Sequence, residues 1–315
     1  MTLTFVPELD DRLVAEAASQ THEIWSGGWA LEAHIERQRA NLHRAGRDIL
    51  RYVGLLDETG LIASMKRYGL VVHVPGHGPK PALGIGAVFT RKDARKKGAA
   101  ALLLRWLLDD ARAQGCALAL LYSEIGTAYY EKFGFVALPS FEHSAMTNEF
   151  PGQTSLSLRA ADAADEPKMI ELHETSWDPS LVRIVRTPEL LRYFRFRNTP
   201  NHAWMLERNG VVVGYVISTL HDGTRDDGVK LSQRTLWVDE WAAPGVPLED
   251  VLGALRFIAE AESAERISGW LSPWHETAPF VAAHRHEPIA MACALNEILP
   301  TIDPSRTFFG SLDHF

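Results

Sequence analysis

The residues best placed for chemistry stand in one short run, Arg95-Lys96-Lys97-Gly98-Ala99-Ala100, at the point where a helix begins. A helix that only packs opens with Ser, Asp or Asn as its cap and favours acidic residues in its first turn. This one opens with cations and a glycine. The first N–H groups of a helix have no internal partner and point outward with the dipole behind them. With no side chain at Gly98 and only methyls at Ala99 and Ala100, an anion can reach those groups, while Arg95, Lys96 and Lys97 add charge. Phosphate or pyrophosphate binding is the chemistry implied. Alone, the pattern Arg-x-x-Gly-x-Ala is common and fits a solvated basic helix start equally well.

The elements that must hold this run alternate. "DDRLVAEAASQTHEIW" and "LEAHIERQRANL" have helical periodicity, separated by Gly27-Gly28. "ILRYVGLLDETGLIASMKRYGLVVHV" reads as a hairpin turning at Glu58–Gly60, "GHGPKP" as a loop and "ALGIGAVFT" as a short strand. "KGAAALLLRWLLDDARAQG" is a helix, "CALALLYS" a buried strand, and "TAYYEKFGFVALP" a short helix, a glycine turn and a strand. Pro139 to Gly152 reads as a domain boundary, giving domains 1–150 and 151–315. The second half repeats the order of strands and helices without repeating the sequence. The expected fold class is α/β, built as two α+β sandwiches.

Composition narrows the partners. The formal charge is -8, and residues 1–150 balance 17 basic against 17 acidic residues, so the whole excess lies in the second half. An acidic surface argues against nucleic acid. Cys116 and Cys293 lack metal-ligand spacing, so no metal is expected and a reduced, cytoplasmic protein is. "MTLTFVPELDDRLV" is not a signal peptide, and no stretch nears the ~18 apolar residues of a membrane span. A monomer or homodimer is expected.

Around the basic run, the sequence resembles the GCN5-related N-acetyltransferases (GNAT). Their Arg/Gln-x-x-Gly-x-Gly/Ala turn grips the pyrophosphate of acetyl-CoA, and "RKKGAA" matches it. "IGAVFT" stands where a strand pairs with the pantetheine arm, "LALLYS" stands at the next strand, and "AYYEKFGF" matches the Tyr-Glu-Lys-x-Gly-Phe signature. Together these cover about residues 83–137. The wording is closest to the fungal lysine N-acetyltransferases, in "AVFTRKDARKKGAA" and "LYSEIGTAYY". Two features depart from the family. The asparagine after the fifth strand is missing, with Ser123, Glu124 and Gly126 in its place, and position 92, often proline, is Lys92.

The resemblance implies roles. Acetyl-CoA would be the co-substrate, held by the backbone of Val88, Phe89 and Thr90 and by the turn from Arg95 to Ala100. Tyr130 would protonate the departing thiolate, with Tyr129 taking that role if the helix is rotated. Lys132 could reach a CoA phosphate or be a plain helix lysine. Glu124, after the fifth strand, is the candidate base, or else a loop carboxylate. His73 and His77 are weaker candidates. Trp25 and Trp29 would line the acceptor cleft, or simply pack as a helical face. Some tandem relatives bring a C-terminal carboxylate to the active site, and Phe315 is placed to do likewise. In the second half "AAPGVPLEDVLGAL" replaces the basic turn. Its prolines remove donors, and Glu249 and Asp250 repel phosphate, so that half is expected to be a degenerate GNAT fold without a cofactor. The expected activity is transfer of acetyl to a primary amine of a small molecule, such as lysine or another cationic amine, by direct attack in a ternary complex. A non-catalytic acyl-CoA-binding regulator and a tandem aminoacyl or acyl transferase are the alternatives.

Overall fold

The computed structural model describes residues 3–197, 201–222, 233–271 and 278–315. The first half runs β1 (Thr4–Val6), α1 (Asp11–Trp25), α2 (Leu31–Ala45), β2 (Leu50–Asp57), β3 (Gly60–Val74), β4 (Gly78–Thr90), α3 (Ala99–Ala113), β5 (Leu118–Ser123), α4 (Ala128–Glu131), β6 (Val136–Ala137) and β7 (Phe141–Met146). The second runs β8 (Ser157–Ala160), α5 (Glu166–Ser176), β9 (Arg183–Ile184), α6 (Pro188–Phe196), β10 (His202–Arg208), β11 (Val211–His221), β12 (Thr235–Ala242), α7 (Leu248–Ala261), β13 (Arg266–Gly269), β14 (Val281–His284) and β15 (Ile289–Ala294). No described helix is long and apolar enough to cross a membrane.

The strands form two sheets, ordered β1-β2-β3-β4-β5-β15-β6 and β14-β7-β13-β12-β11-β10-β8. Each has one parallel pair at its centre, β4 with β5 and β12 with β13. The sheets do not divide at residue 150. β7, inside the segment expected to be a linker, crosses to pair with β13, and β15 returns to pair with β5 and β6. The two halves thus exchange equivalent strands. The sequence "IAMACA" suits a central strand, because its inner residues are buried on both faces.

Of the expected loop "GHGPKP", Gly76 and His77 lie in the turn, but Gly78–Pro81 is already the start of β4, with Val74 opposite Gly78 and Val71 opposite Pro81. Prolines are tolerated there because β4 meets β5 only from Leu83 onward, so over Gly78–Ala82 one side of β4 has no partner strand.

Alternation sorts the first sheet into two faces. Ala63, Met65, Leu83, Ile85, Ala119 and Leu121 lie under Leu103, Leu104, Leu107 and Leu108 of α3. On the opposite face Tyr68, Leu70, Val72, Leu118 and Leu120 join one core with Leu190, Leu191, Tyr193 and Phe194 of α6, and with Met205 and Ile217 of the second sheet. The apolar core is therefore continuous across residue 150.

Candidate active site

β4 and β5 pair only at Leu83–Ile85 with Ala119–Leu121, and beyond that point they part. The divergence starts at a bulge. Ser64 and Lys66 of β3 oppose Phe89 and Gly86 of β4, so Ala87 and Val88 share the single partner Met65, and Ala87 takes a φ of 47°. The extra residue shifts the side-chain alternation, so positions 86 and 89 share a face although they are three apart. A gap through the sheet results, lined on one edge by the backbone of Val88, Phe89 and Thr90. It joins the α3 face to the α1–α2 face.

On the α3 face stands the basic turn. Lys96 has φ 62° and Gly98, the N-cap of α3, has φ 86°, both left-handed. No side chain caps the helix, and an added Cβ at Gly98 would meet nothing within 4 Å. A left-handed lysine costs on the order of 1–2 kcal/mol, and such strain gathers where a backbone is shaped for a ligand. The uncapped start and the open space above Gly98 fit a phosphate. Arg95 folds back instead, donating from Nε to Thr90 O at 3.1 Å with its guanidinium 5.8 Å from the centroid of the Phe89 ring. Lys96 and Lys97 are exposed, Ala99 is buried and Ala100 half-buried. Lys92 pairs with Glu23 at 3.2 Å.

Tyr130 lies on the same face, buried among the residues under α3, with its ring 5.0 Å from that of Tyr129 and 6.1 Å from that of Phe135. Burial, with smaller contributions from Tyr129 and Glu124, pushes its phenol up to about 12, so it keeps its proton at neutral pH. Tyr129 is half-buried and Lys132 follows as the helix C-cap. Glu124 is exposed beyond the end of β5, close enough for its charge to act on Tyr130. Cys116 and Cys293 are buried, and burial raises both thiols.

The other face carries the residues expected to line an acceptor cleft. Helix α1 ends at Trp25, whose ring meets Phe89 edge-on at 6.4 Å. Gly27 and Gly28, both left-handed, end the helix, so Trp29 lies beyond it and the two tryptophans do not share a helical face. Trp29 is exposed, with the Arg37 guanidinium 5.2 Å from its ring centroid. His73 Nε2 donates to Pro179 O at 2.9 Å, and with His77 the residue sits at the end of the β3–β4 hairpin farthest from the bulge. Phe315 reaches the gap. Its ring lies 4.3 Å from that of Tyr68 and 5.8 Å from that of Tyr122, and its carbonyl oxygen would be 3.2 Å from a Cβ on Gly86. A ring this close to Gly84, 2.6 Å from an added Cβ, requires glycine there.

What holds Phe315 in place is a buried ionic network. Arg186 donates from Nη1 to Asp313 at 2.5 Å and from Nε to Glu240 at 3.0 Å, and Tyr215 donates to Glu240 at 2.6 Å. Arg197 donates to Leu312 O at 3.2 Å, and Trp237 to Ser311 Oγ at 2.6 Å. These partners come from the segment before α6, from the residue that ends it and from β11 and β12 of the second sheet, so the second half positions the last residues over the gap in the first.

Sequence reasoning missed this network and a set of polar groups beside it: Lys66, His34, Arg37 and Arg197. Their one signal was Lys66-Arg67 inside an otherwise apolar strand, where alternation sends one cation to each face. Arg67 faces α3 and donates to Gln114 at 2.7 Å. Lys66 faces the acceptor side, with Nζ 5.5 Å from the centroid of the Tyr52 ring. Burial, then Arg37 and Arg197, lower its ammonium to about 8, although part of the side chain reaches solvent.

The corresponding place in the second half is built differently. Asp250, in the first turn of α7, accepts from Ser155 N and Oγ and from Arg208, each at 2.8 Å. The backbone at Gln153 lies so close that a Cβ on Gly253 would stand 2.1 Å from its oxygen. That helix start carries the carboxylates of Glu249 and Asp250 where α3 carries cations, and the backbone at Gln153 packs one turn further along it. Among the described residues, no group of His, Cys, Asp and Glu could hold a metal ion.

Two strand-exchanged α/β halves, each with a parallel central pair, define a tandem GNAT-like fold. Within it, residues 11–137 match the family model of the acetyltransferase (GNAT) domain. Several solved structures share the arrangement. A protein from Enterococcus faecalis V583, described as a probable N-acyltransferase, superposes with TM-score 0.73 at 17% identity, over 94% of this chain and 73% of that one. A GCN5-related N-acetyltransferase from Kribbella flavida gives 0.69 at 21%, over 93% and 72%. Eis1 from Mycobacterium abscessus gives 0.62 at 17%, over 94% and 74%. At these identities the likeness is one of fold. No curated protein matches the sequence.

Proposed function

We propose that this protein is an acetyl-CoA-dependent N-acetyltransferase that moves acetyl to a primary amine of a small molecule within a ternary complex. The observation that carries the reading is the gap beyond Ile85 and Leu121, with an uncapped helix start and a buried phenol on one face and an aromatic and cationic cleft on the other. Acetyl-CoA enters from the α3 face, its pyrophosphate on the N–H groups from Gly98 to Ala100 and its arm along Val88–Thr90. The amine approaches from the α1–α2 face and attacks the thioester carbonyl in the gap. The carbon–nitrogen bond forms, negative charge gathers on the carbonyl oxygen, and N–H groups of β4 around Phe89 and Thr90 offset it. The carbon–sulfur bond then breaks, the electron pair leaves on sulfur, and Tyr130 donates its proton there.

The ammonium must first lose a proton. Glu124 is the proposed base. A second candidate follows from the position of Phe315: when the chain ends at that residue, its carboxylate stands beside Gly86 at the mouth of the gap. Comparing Glu124→Gln with a chain extended by one residue separates the two. The whole reading is tested by incubating the protein with acetyl-CoA and a panel of amines and following thiol release. Calorimetry with CoA runs in parallel. Tight CoA binding with no amine accepted would leave an acyl-CoA-binding regulator as the better account, and absence of CoA binding would refute the reading altogether.

A further inference from the structure

The gap between β4 and β5 has a counterpart in the second half. β12 and β13 pair in parallel over Thr235–Val238 and Arg266–Gly269, and beyond that point they part as β4 and β5 do. A bulge stands at the same place. Ile217 and Ser218 of β11 oppose Glu240 and Val238 of β12, so Asp239 is the extra residue, the counterpart of Ala87–Val88 on β4. In the second half the chain's own residues 310–313 lie against both freed edges. Leu312 N donates to Asp239 O at 3.1 Å, and an added Cβ on Gly310 would stand 3.7 Å from Trp270 O, just past the end of β13. Side chains fix the register. Trp237 Nε1 donates to Ser311 Oγ at 2.6 Å, and Ser311 Oγ lies 3.5 Å from the Asp239 carboxylate, which also accepts from Thr219 at 2.7 Å. From the first half, Tyr122 donates to Gly310 O at 3.3 Å. Ser311, Leu312 and Asp313 are buried, so the fold encloses this segment rather than carrying it on its surface.

We propose that the second half is a receptor for the protein's own residues 310–313: its gap binds this segment where the gap of the first half takes the cofactor arm, and the grip sets Phe315 at the acceptor side. The inference rests on the acetyl-transfer reading above and assigns the second half a task in it. Trp237 and Asp239 of β12, with Ser311, are positioning residues for that reaction, although β12 holds no cofactor. They act through Phe315, two residues past Asp313, whose ring lies 4.3 Å from that of Tyr68 and whose carbonyl oxygen lies beside Gly86. An extended chain advances about 3.3 Å per residue, so a slip of one residue in the grip carries Phe315 off Gly84 and Gly86. The same occupancy keeps a cofactor arm out of the second gap, independently of the carboxylates at the start of α7.

The test uses the full chain and three variants: Trp237→Phe, which keeps an aromatic ring and loses the N–H, Ser311→Ala, and the two combined. Each is checked by thermal melting for folding. Hydrogen exchange read by mass spectrometry on the C-terminal peptide reports the grip itself and needs no substrate. Wild type should exchange slowly over residues 310–313, and either single variant about 10-fold faster, the effect of one buried hydrogen bond lost. The double variant should be no faster than the worse single one, because both changes remove the same bond. Kinetics with acetyl-CoA and an accepted amine should follow the same pattern. The amine's kcat/KM falls in each single variant, while CoA affinity by calorimetry stays at the wild-type value. Exchange at free-peptide rates in wild type overturns the proposal, and so do additive effects of the two substitutions. A loss of CoA affinity equal to the loss in kcat/KM overturns the positioning role. If no amine is acetylated, the acetyl-transfer reading fails, and exchange alone decides the receptor. Protection that both single variants lose supports it, and protection unchanged in both refutes it.

Discussion

Gly98 and Gly115 offer a controlled experiment on the cofactor turn. They flank helix α3, with φ of 86° and 75°, and an added Cβ at either would meet nothing within 4 Å. Replacing either by alanine therefore introduces no clash and leaves only the cost of a left-handed side chain, about 1–2 kcal/mol. Both variants should melt a few degrees lower, at roughly 2–4 °C per kcal/mol for a chain of this order of size. They should differ in ligand binding. At Gly98 the new methyl enters the space where a phosphate would meet the uncapped N–H groups. Losing one such charge-assisted bond is worth about 1.5–3 kcal/mol, or roughly 10- to 150-fold in affinity. At Gly115, the far end of the helix, the methyl faces no ligand. Calorimetry with CoA, beside melting curves, reads both effects. The expected result is matched Tm losses with weakened CoA binding in Gly98→Ala alone, and a stronger loss in Gly98→Glu, where a carboxylate is added. If Gly115→Ala weakens CoA equally, or Gly98→Ala leaves it unchanged, the cradle is not at the start of α3.

Tyr130→Phe should lower turnover by about 10²–10⁴-fold with acetyl-CoA affinity little changed, whereas Tyr129→Phe should be mild; equal turnover in the two variants would remove the proton-donor role. Because Glu249 and Asp250 put carboxylates in the first turn of α7, with Asp250 held there by Ser155, calorimetry should give one CoA per chain, and a second equivalent would contradict that account. Glu174 supplies a pH signature. Burial alone raises its carboxyl, but the His173 hydrogen bond at 3.3 Å and the Arg183 fork at 2.9 and 2.8 Å outweigh burial and hold it at about 2, below its ordinary 4.5. A depressed carboxyl stabilises fully above its unfolded value and loses that contribution as pH falls through the folded one. The stability gap between wild type and Glu174→Gln should thus shrink from pH 4.5 toward pH 2 in urea titrations. A gap that stays constant over that window would show that the carboxylate is not held this way.

The parts of this protein that depend on neighbours in sequence were legible in it. The turn from Arg95 to Ala100 stood out because cations and a glycine replace the usual polar cap and acidic first turn, and the structure has that helix start uncapped with Gly98 left-handed. The strand before it, the helix after it and "AYYEKFGF" needed only periodicity and spacing, and the grammar of the second half appeared for the same reason. Tertiary structure alone decided the rest. Nothing local distinguishes a β7 that pairs within its own half from one that crosses to β13, because six residues of alternating burial serve either sheet. The match of β15 to β5 is set by partners some 170 positions apart, Ile289 with Ser123 through Ala294 with Leu118. The bulge at Ala87–Val88 inverts the alternation on which any facing argument rests, so which side of the gap Phe89 would occupy could not be read ahead. The cations Lys66, Arg37 and Arg197 are ordinary residues of a strand, a helix and a helix end. They become a group only because α2 and α6 pack over the same face of the first sheet, and whether a charge is matched is a property of that three-dimensional neighbourhood, not of its place in the chain.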